Sequence, residues 1–285
     1  MRIRIIFKVL NKGAVLPFHH QSPLHDLLQG HAEKHGRSFD QITFSGLKGQ
    51  TKICKEGLKY ISKNVTLVLS STDRSLLETI TFSLFQSERV QLGQLELFPE
   101  WVEAEASPKF SKQMQYLCIS PLIPYPKAML QGEGHQLKIP FDIAFEELLK
   151  QSLQERMYVE GNFDSKDLED VHHIRFLPDT TYLDRLTQRD KKYARDYALQ
   201  TEEGPARVKG YTFPFTLNAT PRIQQFVFQT GLGSCPDLGF GMLDIAKNQL
   251  KRQQLFHRRD IENGKIINPL TRKVSEKSLA QTADR

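Results

Sequence analysis

The sequence predicts an α+β protein made of two halves of similar length. Polar and apolar residues alternate in "RIRIIFKVL" (2–10), which indicates a half-buried strand. Apolar residues recur at helical spacing in "RSLLETITFSLFQ" (74–86). From residue 1 to 118 the predicted elements follow the order β-α-β-β-α-β, which is the order of a ferredoxin-like, or split βαβ, domain.

The first half is predicted element by element from its apolar pattern and its turn residues. After the first strand, a helix is expected from about Pro23 to His35, with Ser22 as its N-cap. "ITFSGL", "TKICKEGLKYI" and "NVTLVLSS" then predict strands joined by short turns. The helix at 74–86 follows, and "RVQLGQLELFPEWVEAE" (89–105) predicts the last strand of this half.

The second half starts at "QYLCISPLIPYP" and also mixes helices with strands. Helices are predicted by "FDIAFEELLKQSLQERMYVEG" and by "TPRIQQFVFQTGLGS", where Thr220 is the cap and Pro221 stands in the first turn. "VHHIRFL", "VKGYTFPFTL" and "FGMLDIA" predict strands. We therefore divide the chain into residues 1–118, 119–245 and a polar, basic tail at 246–285.

The net charge of the chain is concentrated in that tail. The formal net charge is +6 at pH 7, and residues 246–285 contain ten Lys and Arg against four Asp and Glu. The body is therefore neutral, and it can bind an anion only through a local basic face. The tail is expected to form a marginal helix followed by a mobile end. It could add non-specific affinity for a polyanion, bind a protein partner, or have no role in binding.

Cysteine usage and the lack of long apolar runs indicate a cytoplasmic protein. Cys54, Cys118 and Cys235 are odd in number and far apart, so they form neither a metal-ligand spacing nor a disulfide framework. No run approaches the ~20 apolar residues of a membrane span. The charged, alternating N-terminus is typical of a strand and not of a secretion signal. We expect no contact with a membrane.

Four glycines lie within eleven residues of "FQTGLGSCPDLGFGMLDIA" (228–246). A dinucleotide fingerprint needs a third glycine where Pro236 stands, and it follows a strand, whereas a helix precedes this segment. A Walker motif needs a Lys-Ser or Lys-Thr pair that is absent here. No cofactor is therefore predicted. The glycines either let backbone N–H groups approach another phosphate, or shape a turn packed between the two halves.

The segment "GLGSCPDLGFGML" closely resembles the C-terminal glycine-rich loop of the CRISPR repeat-processing endoribonucleases, which belong to the repeat-associated mysterious protein (RAMP) superfamily. "FPFTLNATPRIQQFVFQTGLGS" resembles the strand and helix that lead into that loop. "CISPLIPYP" resembles the opening of the second domain, "VLPFHHQSPLHDLL" the passage into the first helix, and "ITFSGL" the next strand. These matches keep chain order over about residues 1–245, and the glycine-rich loop is the most specific of them.

The resemblance implies two tandem ferredoxin-like (RRM-like) domains with a C-terminal glycine-rich loop. It implies metal-independent cleavage of CRISPR precursor RNA within repeats, leaving a 2′,3′-cyclic phosphate and a 5′-hydroxyl. CRISPR repeat RNA is the implied partner, CRISPR effector-complex proteins are further candidates, and the protein would act as a monomer or homodimer. The loop residues expected to contact RNA are Gly231, Gly233, Ser234, Gly239 and Gly241.

Cleavage by the neighbouring 2′-hydroxyl needs a base, an acid and a cation near the phosphate. Histidine suits the first two roles because its pKa is near neutrality. In the resembling family a catalytic histidine usually lies in or just after the first helix. His31 and His35 share one predicted helix face, so we predict His35 as the first choice and His31 as the second. Lys34, Arg37 or Lys48 would stabilise the phosphate.

Other roles stay open for these histidines. A histidine on a polar helix is usually only solvated, and an i, i+4 pair could bind zinc, although "HAEKH" lacks a third ligand. His20, with His19, precedes the helix and is predicted to support the site or the RNA. Many relatives carry a tyrosine on the first helix, whereas "LLQGH" has none. Either a second histidine takes that role, or activity is weak.

Basic and aromatic residues are interleaved in "RLTQRDKKYARDY" (185–197), a pattern that suits a phosphate backbone with occasional base stacking. A solvated helix is the alternative, because Asp184, Asp190 and Asp196 dilute the charge. The basic residues predicted to contact RNA are Arg185, Arg189, Lys191, Lys192, Arg195, Arg207, Lys209 and Arg222.

The leading hypothesis is an endoribonuclease that matures CRISPR RNA. The alternative is a catalytically inactive RNA-binding member of the same superfamily that acts in a CRISPR effector complex; the glycine-rich loop fits both, and the histidine-rich first helix favours cleavage. A generic RNA-binding protein with tandem ferredoxin-like domains is less favoured, because the sequence has no clear aromatic RNP1 pattern.

Overall fold

The structure is a computed structural model that describes residues 1–40, 42–130, 140–201, 204–246 and 250–258. It has a mixed α/β fold with antiparallel sheets. The elements of the first half are β1 (Arg2–Val9), β2 (Val15–Leu16), α1 (Gln21–Glu33), β3 (Ile42–Phe44), β4 (Thr51–Cys54), β5 (Gly57–Tyr60), β6 (Asn64–Ser71), α2 (Arg74–Gln86), β7 (Val90–Leu92) and β8 (Leu95–Glu105).

The central sheet of the first half has β1 in its middle, paired with β6 on one side and with β8 on the other. β3 extends the sheet beyond β6. Ile3, Ile5 and Phe7 are buried in one core with apolar residues of α1 and α2. The strand predicted at the N-terminus is therefore confirmed, but it is more than half-buried, because Arg2 and Ile6 on its other face are buried as well.

The two helices of this half begin at different kinds of cap. α2 begins at Arg74, as predicted, where the Asp73 carboxylate accepts a hydrogen bond from the N–H of Leu76. α1 begins at Gln21, so the predicted cap Ser22 lies inside the helix, and His20 precedes the first turn. α1 also ends at Glu33, two residues before its predicted end.

The second half folds in the same general manner around its own sheet. Its elements are β9 (Gln113–Cys118), α3 (Ile143–Glu160), α4 (Ser165–Asp170), β10 (Arg175–Pro178), α5 (Thr180–Gln188), β11 (Ala194–Thr201), β12 (Gly204–Tyr211), β13 (Pro214–Asn218), α6 (Pro221–Thr230) and β14 (Leu243–Ile245). The sheet order is β10-β13-β9-β14. Thr220 caps α6 and Pro221 occupies its first turn, as predicted. Within the described ranges, no helix combines the length and apolar character that a membrane crossing needs.

The strand β9 belongs to the second sheet, where it lies between β13 and β14. Tyr116 is fully buried in the second core, beside Phe215. The predicted division after residue 118 therefore falls at the end of a strand of the second sheet and not between the sheets. The chain passes from one sheet to the other between Glu105 and Gln113.

Each half carries a β-hairpin between the second and third strands of its sheet. In the first half β4 and β5 form it, and in the second half β11 and β12. The basic segment 185–197 is consequently not one helix, because α5 ends at Gln188 and strand β11 begins at Ala194.

A last strand, β15 (Arg252–His257), returns to the first half and pairs with β8. The marginal helix predicted after Ala246 is wrong for this stretch, because Phe256 is 2% exposed and packs against Phe85 in the first core. Residues 247–249 and 259–285 of the predicted basic tail lie outside the described residues.

We predict that Phe256→Ala lowers the free energy of unfolding by about 3 kcal/mol, because it empties a buried aromatic position. Gln253→Ala on the exposed side of the same strand is the control, with an expected change below ~0.5 kcal/mol. Urea titration of both variants checks this. Equal stabilities would mean that β15 does not contribute to the first core.

Candidate functional site

The glycine-rich segment connects α6 to β14 in a conformation that only glycine adopts readily. Gly231, Gly233, Gly239 and Gly241 have φ values of +86°, +80°, +83° and +71°. A side chain at Gly233 would strike the carbonyl oxygen of Ile123, and one at Gly241 that of Leu232. The segment therefore needs glycine both for its backbone angles and for space.

The N–H groups of this segment are largely used inside the protein. Ser234 donates to the carbonyl of Ile123 at 2.9 Å, Gly239 to that of Pro236 at 3.0 Å, and Gly241 to that of Pro121 at 2.7 Å. Gly231, Gly233, Ser234, Gly239 and Gly241 are all buried. In this structure the amides of Ser234, Gly239 and Gly241 are thus not free for a phosphate, and their predicted RNA contact stays a prediction.

Arg156 on α3 fixes the start of the segment. Its guanidinium donates to the carbonyls of Thr230, Gly231 and Gly233 at 2.7, 2.8 and 3.0 Å, and to the Thr230 hydroxyl at 2.6 Å. Burial lowers the pKa of Arg156 to about 10. Thr230 is the last residue of α6, where a helix carbonyl lacks an internal donor, and Gly231 and Gly233 follow it, so one planar cation satisfies the three carbonyls together. Nothing in the sequence marks this arginine among the charges of its helix.

The first half contacts the second half through Arg2 and Ser70. Arg2 is 4% exposed, pairs with Glu105 at 2.7 Å, and holds its guanidinium 4.5 Å from the centre of the Phe228 ring on α6. The Ser70 hydroxyl donates to the carbonyl of Gln229 at 2.6 Å. The C-terminal end of α6 therefore packs against β1 and β6.

His31 points into the protein. It is 5% exposed, and its Nδ1 lies 2.8 Å from the hydroxyl of Ser83 on α2. Burial, with smaller contributions from the charges of Lys34 and His35, lowers the pKa of His31 to about 4. The predicted second-choice proton carrier is thus placed between the two helices, away from solvent.

His35 and Lys34 are exposed in the turn that follows α1. The spacing of His31 and His35 predicted that they share one helix face, but the helix ends at Glu33, so His35 lies outside it. Arg37 pairs with Asp73, so this cation is used at the start of α2.

His20 is buried, and both ring nitrogens have partners. Its Nδ1 lies 3.2 Å from the carbonyl of Pro17, and its Nε2 accepts a hydrogen bond from the N–H of Leu47 at 3.3 Å. Burial lowers the pKa of His20. The ring therefore holds the turn after β3 in place, and no nitrogen is left for RNA in this structure.

His25, which the sequence did not single out, joins α1 to the glycine-rich segment. Its Nδ1 lies 2.9 Å from the carbonyl oxygen of Asp237, in a short 3-10 helix at Pro236–Leu238. The Phe39 ring meets the imidazole edge-to-face at 5.2 Å between centres. Local patterns carry no signal for this contact, because its partners are 212 positions apart.

The predicted RNA-contacting cations fall into two groups. Arg185, Arg189, Lys191, Lys192, Arg195 and Arg207 are exposed on α5, the following turn and the β11–β12 hairpin. Arg195 reaches over the Phe18 ring of the first half at 5.9 Å. Lys209 pairs with Asp196 at 2.6 Å, and Arg222 pairs with Asp167 at 2.9 Å, so these two are already engaged.

Comparison with known proteins decides the family. A family model described as "CRISPR associated protein Cas6, C-terminal" matches residues 105–245, which span the second sheet and the whole glycine-rich segment. The chain belongs to the Cas6 family. The family assigned by resemblance from the sequence is thereby confirmed.

Individual relatives agree with this assignment. A Pyrococcus furiosus protein named a CRISPR-associated endoribonuclease-like protein Cas6 is 23% identical over 268 residues, covering 87% of this chain and all of the relative. The solved structure of a Cas6-related gene product from Pyrococcus furiosus has a TM-score of 0.67 at 20% identity, over 87% of this chain and 99% of that one. A structure described as a RAMP protein binding different RNA substrates has a TM-score of 0.66 at 19% identity, over 86% and 99%.

In this Cas6 chain, Lys48 lies half-buried on the face of the first sheet that meets the second half. Burial lowers the pKa of Lys48 to about 8; Arg4 and Arg2 act in the same direction, and Asp244 opposes them. Among the described residues its ammonium group has no ion-pair partner. Of the cations predicted to stabilise the phosphate, Arg37 is thus paired with Asp73, whereas Lys34 and Lys48 have no ion-pair partner among the described residues.

The zinc alternative for the histidines of α1 gains no support from the described part of the chain. There, no group of three or more His, Cys, Asp or Glu side chains lies close enough to share a metal ion. His31 faces Ser83, and His35 lies beyond the end of the helix.

We predict that Arg156→Ala lowers the free energy of unfolding by about 2 to 3 kcal/mol, because buried carbonyls lose a charged donor. Gln151→Ala, exposed on the same helix, is the matched control and should leave stability within ~0.5 kcal/mol. Denaturant titration measures both. A loss no larger than that of the control would contradict the role given to Arg156.

We predict that stability falls as the pH drops from about 6.5 to about 4, because the unfolded chain protonates His31 near 6.5 whereas the folded protein keeps it neutral to about 4. Below pH 6.5 the unfolded state therefore binds more protons. His20 acts in the same direction, so the difference between wild type and His31→Gln isolates His31. Parallel pH profiles of the two proteins would contradict its burial.

Proposed function

We propose that the chain is an endoribonuclease that cleaves CRISPR precursor RNA within its repeats. The observation that carries the proposal is the family match over 105–245, which includes the glycine-rich segment of the candidate site. The relative named as an endoribonuclease-like Cas6 protein and the neighbour described as binding RNA support it.

The proposed chemistry needs no metal ion. The 2′-oxygen beside the scissile phosphate attacks phosphorus, the bond from phosphorus to the 5′-oxygen breaks, and the products carry a 2′,3′-cyclic phosphate and a 5′-hydroxyl. A base must take the 2′-hydroxyl proton, a donor must protonate the 5′-oxygen, and a cation must stabilise the charged phosphorane. A histidine of the α1 region and a nearby lysine are the side chains suited to this work.

From the sequence, the proposed proton carrier is His35, with Lys34 as its cation. Both side chains are exposed at the end of α1, where RNA can reach them. The burial of His31 against Ser83 favours a structural role for that residue.

The proposed RNA path runs over the second half toward the junction with the first. It is supported by the exposed cations of α5 and of the β11–β12 hairpin, and by Arg195, which stacks on Phe18 of the first half. His19 packs edge-to-face on Tyr197 at 4.7 Å in the same region. An RNA on this path would contact both halves.

We also propose that both halves are ferredoxin-like domains. Omitting the inserted hairpins, each sheet follows the same connectivity: β8-β1-β6-β3 in the first half and β14-β9-β13-β10 in the second. In both, a helix follows the first strand and another follows the third strand, which is the split βαβ order, and the second half has α5 inserted after its second strand together with the hairpin.

An RNA-binding member of the family that does not cleave is the second candidate. The burial of His31 favours it, because it removes from solvent a histidine that cleavage was predicted to use. In that case the chain would hold guide RNA in a CRISPR effector complex.

Incubation of the protein with its cognate repeat RNA in EDTA tests the proposal. We expect a single cut within the repeat, with an upstream fragment that ends in a cyclic phosphate. A non-repeat RNA of equal length and charge is the control and should stay intact. Tight binding of the repeat without cleavage, with or without divalent metal ions, would establish the non-cleaving alternative.

A further inference from the structure

We propose that His25 is the general base of this chain, acting at the junction of α1 and the glycine-rich segment on an RNA 2′-hydroxyl. The inference rests on the proposed endoribonuclease function. It differs from the sequence-based choice of His35, which lies ten positions further along the chain, in the turn beyond the end of α1.

The hydrogen bond of His25 sets its tautomer. A carbonyl oxygen can only accept, so the Nδ1 facing Asp237 at 2.9 Å carries the proton. In the neutral ring Nε2 is then the unprotonated nitrogen, which is the state a general base needs. Among the described residues, Nε2 has no hydrogen-bond partner, and the side chain is half-buried.

Neither His20 nor His31 combines a ring nitrogen bonded to a backbone carbonyl with a second, unpartnered and accessible nitrogen. His20 uses both ring nitrogens and is buried. His31 is buried against Ser83. Within the part of α1 and its flanks that the structure describes, His25 alone combines a nitrogen held by the backbone with a second, unpartnered nitrogen.

The surroundings hold the imidazole rigidly. Asp237 lies between Cys235 and Gly239, both in the left-handed conformation, and Gly239 packs on the Phe44 ring of β3. Phe39 contacts the other side of His25. A ring fixed by packing needs little reorganisation before it accepts a proton.

A cation lies within electrostatic range of the Asp237 carboxyl. Lys127 is exposed, and it acts electrostatically, as His25 does, on the Asp237 carboxyl. Among the described residues its ammonium group has no ion-pair partner. In the step, Nε2 of His25 takes the 2′-hydroxyl proton as the bond from the 2′-oxygen to phosphorus forms. Lys127 stabilises the phosphorane, and the leaving 5′-oxygen takes a proton from water.

The test is single-turnover cleavage of the repeat RNA by His25→Asn. The asparagine amide can still donate to the Asp237 carbonyl, so the contact between the halves is kept while the base is removed. We expect the cleavage rate to fall by about 10²- to 10⁴-fold, with the Kd for RNA changed by less than about threefold. Gln29→Ala, one turn along α1, is the matched control and should cleave at the wild-type rate.

A second variant separates proton transfer from a structural role. Free imidazole should restore part of the rate of His25→Ala, which a lost packing contact would not allow. The inference is overturned if wild type cleaves and His25→Asn keeps its rate, or if His35→Ala loses the rate instead. If wild type binds the repeat without cutting it, the proposed function fails, and the inference fails with it.

Discussion

The glycine-rich segment between α6 and β14 fixes how the two halves of this chain meet. Its backbone passes so close to Ile123, Leu232 and Phe44 that side chains at three of its glycines would collide with them. Arg156 ties its first carbonyls to α3. Because packed protein interiors deform little, the 3-10 helix carrying Asp237 is held against α1 and β3. The position of His25 therefore depends on contacts made throughout the second half.

The cations of this protein form two groups: buried ones that stabilise the fold, and more accessible ones that are available to a polyanion. Arg2 and Arg156 use their hydrogen-bonding capacity on carbonyls, a carboxylate and ring faces inside the chain. They stabilise the fold and offer little to a polyanion. The exposed cations of α5 and the β11–β12 hairpin, with Lys127 and Lys48, are the ones that can exchange water for phosphate. A body without net charge can thus still present one basic surface.

The order of strands and helices could be predicted because it follows from local periodicity and capping. Thr220 and Pro221 mark the start of α6 in the sequence as clearly as in the structure. The burial of His31 could also have been predicted, because this residue continues the apolar stripe of Leu24 and Leu28 at helical spacing. The contact of His25 with Asp237 was not, because it is made by the fold between positions 212 residues apart. For the same reason, Phe256 could not be assigned to the first core.

The glycine-rich segment also has a structural role that its composition does not reveal. Several of its amides are bonded within the protein, and the carbonyl of Asp237 lies against the His25 imidazole of the other half. A carbonyl can do this with any side chain at its own position, whereas the turn that carries it requires glycine at four places. The segment therefore builds the junction of the two halves, and on the proposed mechanism the side chain that faces it from α1 moves the proton.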